Sequence, residues 1–416
     1  MSHTSEFLNT LTARGYLHQA TDSDGLDALM KQQCVPAYIG FDCTADSLHI
    51  GSLIQIMMLR VLQQSGHKPI VLMGGGTTKI GDPSGKDSQR PMLSDQDIAH
   101  NKKGIRRIFE KFLKFGEGTT DAVMADNAEW LDSLEYIPFL RNYGTHVSVK
   151  KMLSMESVKT RLDREQPLSF LEFNYAILQA YDFMELRRRY GCLLQMGGSD
   201  QWGNIVTGID LIRRIDRQEA YGITSPLITT ASGDKMGKSA QGAIWLSSDH
   251  LPVWDFWQYW RNTEDGDVGR FLRLFTELPL DEIVRLETLK DNEINHAKII
   301  LANEVTTLCH SKAEADKAES TAQATFGAGK DGVKGEASGL PHITASLPIG
   351  VVDALRQCGF AATNGEARRL IQGGGVRIND KVIDNNEYQI STADIADGGA
   401  VKISAGKKRH AMLVAD

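Results

Sequence analysis

The chain has 416 residues, 41% of them hydrophobic and 24% charged. That is the balance of a globular protein of roughly two to four domains, not of a disordered or membrane-spanning one. Five cysteines, an odd number without any Cys-x-x-Cys pair, argue against a disulfide framework and a zinc site. The net charge of -7 argues against a broad polyanion-binding face but leaves room for a local basic patch such as Lys402, Lys407, Lys408 and Arg409.

The first residues, Met1 to Glu6, have neither the basic start nor the apolar stretch of a leader. No apolar run nears the roughly 18 residues of a spanning helix, so a cytoplasmic protein without a membrane partner is expected. Short apolar runs at 37–41, 70–73, 123–125, 193–196 and 227–229 alternate with longer helical patterns. This order predicts parallel strands with crossover helices, an α/β sheet. From 252 to 326 the apolar spacing becomes helical, as in 293–308, which predicts a separate helical domain. Residues 327–348, rich in Gly, Lys, Ser and Pro, have the composition of a linker. The last stretch begins with two short helical patterns and continues with strand-like runs at 376–378 and 401–403, enough for a small α+β domain. The division expected is therefore 1–248, 249–327, a linker over 328–348, and 349–416.

Generic nucleotide and hydrolase templates fail. Gly81-Asp82-Pro83-Ser84-Gly85-Lys86-Asp87 is one residue short of a P-loop and has Asp87 where Ser or Thr should meet magnesium. Gly74-Gly75-Gly76 has Lys79 where a dinucleotide fingerprint needs its third glycine, and no Gly-x-Ser-x-Gly elbow occurs. Two other segments stand out. Around His49-Ile50-Gly51-Ser52 a strand ends, a polar turn follows, and Asp46 or Ser47 can cap a helix. A phosphate suits such a helix start, where a glycine also permits close approach to the backbone. Taken alone, the segment reads first as a capped helix with an exposed histidine, because such caps are common. Further on, Lys235-Met236-Gly237-Lys238-Ser239 puts two lysines three apart in a polar loop. Such a loop can bring two ammonium groups to a triphosphate, and by itself it is also an ordinary basic surface loop.

Together these segments resemble the HIGH and KMSKS signatures of class I aminoacyl-tRNA synthetases. Tyr38-x-Gly40-Phe41-Asp42, Gly81 to Lys86, Tyr175-x3-Gln179-Ala180-Tyr181-Asp182 and Gly197 to Asn204 further resemble blocks of the bacterial-type tyrosyl-tRNA synthetases, over nearly the whole chain. The resemblance implies a Rossmann-like catalytic domain over 1–248 and an anticodon-proximal helical domain over 249–327. The implied activity joins L-tyrosine to the 3' end of tRNA(Tyr) through tyrosyl-adenylate, with ATP as substrate, Mg2+ as an aid without a dedicated protein cage, and a homodimer as the working unit.

For tyrosine, the resemblance implies Tyr38 and Asp182 at the phenolic hydroxyl, Asp82, Tyr175 and Gln179 at the ammonium, and Gln201 beside substrate and ribose. Tyr175, Gln179 and Asp182, spaced four and three apart, would share one helix face. A carboxylate and a phenol at the substrate hydroxyl would leave buried polar groups unpaired when phenylalanine enters. For ATP it implies Gly40, Asp42, Gly51, Ser52, Gly198 and Asp200, with Thr44, His49, Lys86, Arg90, Lys235 and Lys238 toward the phosphates. No residue need act as a covalent nucleophile. Ser52 stands where the signature has its second histidine, Ile39 where some relatives have cysteine, and Cys43 where proline is common. At the C-terminus, Gly365 to Asp380 resembles the small RNA-binding domain shared with a ribosomal small-subunit protein and pseudouridine synthases. That implies RNA contacts from Arg368, Arg369 and Arg377, joined by the patch at Lys407, Lys408 and Arg409. Two rivals remain at this point: a tryptophanyl-tRNA synthetase, and a non-catalytic RNA-binding paralogue.

Overall fold

The computed structural model describes residues 3–84, 92–231, 233, 236–239, 242–326, 340–395, 400–406 and 409–415, except the side chains of 238, 239, 325 and 326. The chain forms two compact units, Met1–Leu251 with Trp260–His310, and Pro252–Tyr259 with Ser311–Asp416.

The first unit is built on a six-stranded sheet of β1 (Gln19–Ala20), β2 (Pro36–Asp42), β3 (Lys68–Gly74), β4 (Val123–Asp126), β5 (Leu194–Gly198) and β6 (Tyr221–Ser225). The spatial order is β1-β6-β5-β2-β3-β4, with β1 antiparallel and the rest parallel. β3 is buried along Pro69–Gly74, as a strand covered on both faces must be. The winding of the chain reverses between β2 and β5. In open α/β sheets, ligands bind outside the carboxyl ends of the strands at that reversal.

Three of the five expected strand runs fall within β2, β3 and β4, and the fourth, 193–196, overlaps β5 from Leu194 on. The fifth does not: residues 227–229 follow the strand instead of forming it, and β6 occupies Tyr221–Ser225. Pro226 has no N–H to offer the ladder and ends the strand, leaving Leu227 exposed. Beyond it, β7 (Lys238–Ser239) and β8 (Gly242–Ala243) make a two-stranded antiparallel pair.

The helical pattern of 252–326 resolves into Val253–Arg261, Asp265–Phe275, Leu280–Glu287, Ile294–Cys309 and Lys312–Phe326. The units cut across the expected 249–327 division, because the helices between Asp265 and Cys309 pack with the sheet unit. Arg14 donates to the carbonyls of Arg273, Thr276 and Leu278 at 3.1, 2.8 and 2.7 Å, and Tyr16 donates its hydroxyl to Leu274 at 2.5 Å. These bonds satisfy the open carbonyls at the end of the Asp265–Phe275 helix.

In the second unit, β9 (His342–Ala345), β11 (Val376–Ile378), β12 (Lys381–Ile383), β14 (Ala400–Ala405) and β15 (Arg409–Ala415) form a sheet of order β12-β11-β14-β15-β9, and β10 (Ile349–Gly350) pairs with β13 (Gln389–Ile390). Helices Val351–Gln357 and Asn364–Gln372 give it a core of Val351, Leu355, Ile371, Val376, Ile403 and Leu413. The expected linker is shorter than 328–348, since His342–Ala345 pairs in parallel with Met412–Ala415; residues 327–339 lie outside the described residues. Among the described residues no helix is long and apolar enough to cross a membrane.

Candidate functional site

At the reversal between β2 and β5 the first unit holds a cavity of about 330 Å³. Its lining includes Tyr38, Gly40, Asp42, Thr44, His49, Ser52, Asp82, Tyr175, Gln179, Asp182, Gly198, Asp200 and Gln201. The site residues expected at scattered positions are thus brought together. β2 supplies Tyr38, Gly40 and Asp42, and the turn after it supplies Thr44 and His49. The Tyr175–Tyr190 helix presents Tyr175, Gln179 and Asp182 on one face, as their spacing predicts. Gly198, Asp200 and Gln201 follow from the end of β5.

One end of the cavity is closed and polar. The Asp182 carboxylate, 1% exposed, accepts from Asn127 Nδ2 at 2.9 Å and from Trp130 Nε1 at 2.7 Å. Burial pushes its pKa up to about 7, against those two hydrogen bonds, and the nearby Asp42 and Glu185 carboxylates push the same way. Tyr38, also 1% exposed, carries a buried hydroxyl with no hydrogen-bond partner. Burial raises its pKa well above the ordinary tyrosine value, with the Asp182 charge adding to the effect. On the adjacent strand, in register with Tyr38, Gln195 leaves its Oε1 buried and unpartnered as well. A native interior rarely tolerates such atoms, and two of them lining one cavity point to a polar ligand.

The middle of the cavity is a connected polar array. Asp42 accepts from Thr77 Oγ1 at 2.9 Å and from the Tyr175 hydroxyl at 3.3 Å. Asp82 accepts from the Ser84 N–H at 2.8 Å and from Gln201 Nε2 at 3.0 Å. Asn204 Nδ2 donates to Gln179 Oε1 at 2.9 Å and to Gln201 Oε1 at 3.1 Å. Carboxylates held this way have fixed lone pairs, which suits them to orienting a small cation such as an ammonium.

At the mouth, the two signature segments touch. His49, not Asp46 or Ser47, caps the short Ile50–Ser52 turn, its Nδ1 accepting the Gly51 N–H at 3.0 Å. That bond leaves Nε2 as the protonated ring nitrogen. Gly237 lies alongside at φ 112°, and a Cβ there would sit 2.9 Å from His49 Nδ1 and 3.3 Å from the Gly51 nitrogen. Gly51 is equally confined, with the Met236 carbonyl 3.2 Å from where its Cβ would be. Neither position has room for a side chain. The backbones then run together: Ile50 donates to Ile244 O at 2.9 Å and Leu246 to Leu48 O at 2.8 Å. Lys238 pairs through its main chain with Ala243, while its side chain, Lys235, Lys86 and Arg90 lie outside the described residues.

Sequence reasoning missed Asn127, Trp130, Thr77 and Gln195, which touch or adjoin the expected residues. A single asparagine or tryptophan between strand and helix carries no local pattern, so only the fold reveals it. Asn204 ended a block already singled out, yet nothing in that block assigned it to Gln179. In the second unit, Arg368 and Arg369 are exposed on the Asn364–Gln372 helix and Arg377 is exposed on β11. Arg409 instead points inward, donating to Phe360 O at 2.6 Å with its guanidinium 5.7 Å from that ring. Lys407 and Lys408 lie outside the described residues.

An open parallel sheet with a polar cavity at its switch point and a glycine-lined turn at the mouth defines a nucleotide-using α/β enzyme. Comparison with known proteins narrows the class. Residues 30–327 match the family of tRNA synthetases class I (W and Y), and residues 333–413 match the tyrosine–tRNA ligase SYY-like C-terminal domain. A tyrosine–tRNA ligase of Novosphingobium aromaticivorans is 59% identical over 99% of this chain and 98% of its own length. One of Rhodospirillum rubrum is 59% identical over 98% of each. Among solved structures, a C-terminally truncated Aspergillus nidulans mitochondrial tyrosyl-tRNA synthetase superposes with a TM-score of 0.69 at 29% identity, covering 78% of this chain and 95% of that one. The chain belongs to the class I tRNA synthetases of the W and Y group.

Proposed function

We infer that the chain is a tyrosine–tRNA ligase, which activates L-tyrosine with ATP and transfers it to the 3' end of tRNA(Tyr). The observation that carries the choice of amino acid is the closed end of the cavity, where an unpartnered Tyr38 hydroxyl adjoins the buried Asp182 carboxylate. A phenolic hydroxyl entering there donates to Asp182 and accepts from Tyr38, satisfying both. An indole offers no such oxygen, which disfavours tryptophan.

In this reading the substrate ammonium lies among Asp82, Tyr175 and Gln179, the first fixed by Ser84 and Gln201 and the last by Asn204. Its carboxylate is then turned toward the mouth, where ATP binds along Gly40, Asp42, Gly51, Ser52, Gly198 and Asp200. The carboxylate attacks the α-phosphate in line and pyrophosphate leaves, so the side chains position the reactants and stabilise charge. His49 Nε2–H and the Thr44 hydroxyl donate toward the phosphates, and Lys86, Arg90, Lys235 and Lys238 add positive charge. Magnesium would travel with the triphosphate and neutralise the departing pyrophosphate. The carboxylates of Asp42, Asp82 and Asp182 already have protein donors, and among the described residues no group of three His, Cys, Asp or Glu side chains gathers to hold a metal.

The functional division we propose is catalysis over 1–248, an anticodon-proximal helical part over 249–327, and RNA binding over 349–416, with Arg368, Arg369 and Arg377 facing the polyanion. Self-association as a homodimer is supported by exposed apolar side chains concentrated in one segment, among them Tyr136, Ile137, Val149, Leu162 and Phe170. The cytoplasm is the fitting location. Pyrophosphate exchange measured with each proteinogenic amino acid tests the reading: exchange with tyrosine alone is expected, and exchange with tryptophan, or with none, overturns it.

A further inference from the structure

The turn that carries Thr44 and His49 is clasped from two sides. On one side stands the Asp95–Phe112 helix. Asn101 Nδ2 donates to the Cys43 carbonyl at 2.8 Å, and the helix passes so close to the Asp46 carbonyl at Gly104 that a Cβ there would overlap it. On the other side stands the segment that follows the second signature. Its backbone pairs with Leu48 and Ile50, Trp245 sets its ring edge against His49 at 6.3 Å, and His250 packs on Trp245 at 5.3 Å. His250 Nε2 then returns to the turn, 2.7 Å from Asp46 Oδ1. His100 is a weaker neighbour of the same carboxylate, at 3.5 Å and largely exposed. The cavity is lined by its neighbours Ala45 and Ser47, while the Asp46 carboxylate meets the two histidines.

We propose that His250, acting through Asp46 and Trp245, is a positioning residue of the activation step. It ties the segment 244–246, which follows β8, onto the turn bearing His49, so the two signature segments keep one relative placement. The inference rests on the reading of this cavity as a tyrosine and ATP site. Tyr38 and Asp182 belong to other elements, so loss of the tie acts on ATP and spares tyrosine. A side chain that merely stabilised the fold would lower both together.

The test uses the full chain, with tyrosine-dependent pyrophosphate exchange against ATP concentration, equilibrium tyrosine binding without ATP, and thermal unfolding. For His250→Leu the expected loss is about tenfold in kcat/KM for ATP, the scale of a hydrogen bond to a charged group, with the tyrosine Kd within about twofold. His250→Gln, which keeps a neutral donor for Asp46, should recover most of that loss. Asp46→Asn combined with His250→Leu should be no worse than the more damaging single change. His100→Ala should behave as the unaltered enzyme. The proposal is overturned if His250→Leu matches the unaltered enzyme toward ATP, if tyrosine binding falls in step, or if glutamine gives no rescue. Absence of tyrosine-dependent exchange in the unaltered enzyme would instead overturn the underlying reading of the site.

Discussion

Replacing Tyr38 with phenylalanine deletes one oxygen, and the structure gives the consequence two opposite signs. In the free enzyme that oxygen is buried and has no hydrogen-bond partner within the protein, so its deletion breaks no bond of the fold. Leaving a buried hydroxyl unsatisfied costs about 1 to 3 kcal/mol, so Tyr38→Phe should stabilise the free enzyme by about 1 kcal/mol after allowing for adjustment of the ring against Phe183. With tyrosine bound, the same oxygen donates to the ligand, and its deletion should weaken binding by about 1 kcal/mol, or about fivefold. Phenylalanine, lacking the hydroxyl, should bind no worse than before, so discrimination narrows by a similar factor. Denaturant unfolding of the free enzyme, equilibrium tyrosine binding, and exchange rates with tyrosine and phenylalanine measure the three quantities. A variant less stable than the parent, with tyrosine affinity and selectivity intact, would refute the assignment of that oxygen to the ligand.

Asp182→Asn should remove a pH dependence. Burial raises the folded-state pKa to about 7, so the native chain holds this proton from pH about 4 to about 7 while the unfolded chain releases it. Stability from this group is therefore fully present below about pH 4 and is lost as pH rises to about 7. The variant's unfolding free energy should lack that fall, and its tyrosine affinity should lack the parent's strengthening through neutral pH. Gly237→Ala puts a methyl group against His49 in a left-handed backbone position; exchange should drop at least about tenfold with tyrosine binding kept, and unchanged exchange would separate the two signatures functionally. Lys238→Ala should slow single-turnover adenylate formation far more than it weakens tyrosine binding, because its charge is needed as pyrophosphate leaves. A chain ending at Phe326, before the buried Leu340 and strand β9, should retain exchange while losing most tRNA charging; undiminished charging would remove the RNA-binding role from the second unit.

The sequence made the cavity wall legible where chemistry repeats along the chain. Tyr175, Gln179 and Asp182 share a helix face because of their spacing alone, and the strand supplying Tyr38 to Asp42 ends where its polar residues begin. What stayed hidden depends on long-range geometry. Asn127 and Trp130 orient Asp182 from a different crossover, and no local rule relates them to it. The fifth strand lies at 221–225 and not at 227–229 because Pro226 between them cannot donate to the ladder, yet Leu227 and Ile228 make the more apolar run while 221–225 mixes Tyr and Ile with Gly, Thr and Ser. The helices from Asp265 to Cys309 resemble a separate domain by composition, and their attachment to the sheet unit draws on Arg14, Tyr16, Arg60 and Lys111, far earlier in the chain. The first strand of the C-terminal sheet, His342–Ala345, was hidden by its flexible-looking flanks.

The pairing of His49 with Trp245 closes a stretch of about 200 residues, which bears on how the protein reaches its native state. Contacts between such distant positions carry the larger loop-closure cost and are intrinsically slower to form than local ones. The tyrosine end of the cavity draws on residues up to Asn204, whereas the phosphate end is complete only once the chain has passed β6 and returned. During synthesis, the nascent chain should therefore acquire a tyrosine pocket before it can hold ATP productively. A partly made enzyme would be able to recognise its amino acid but not to consume nucleotide.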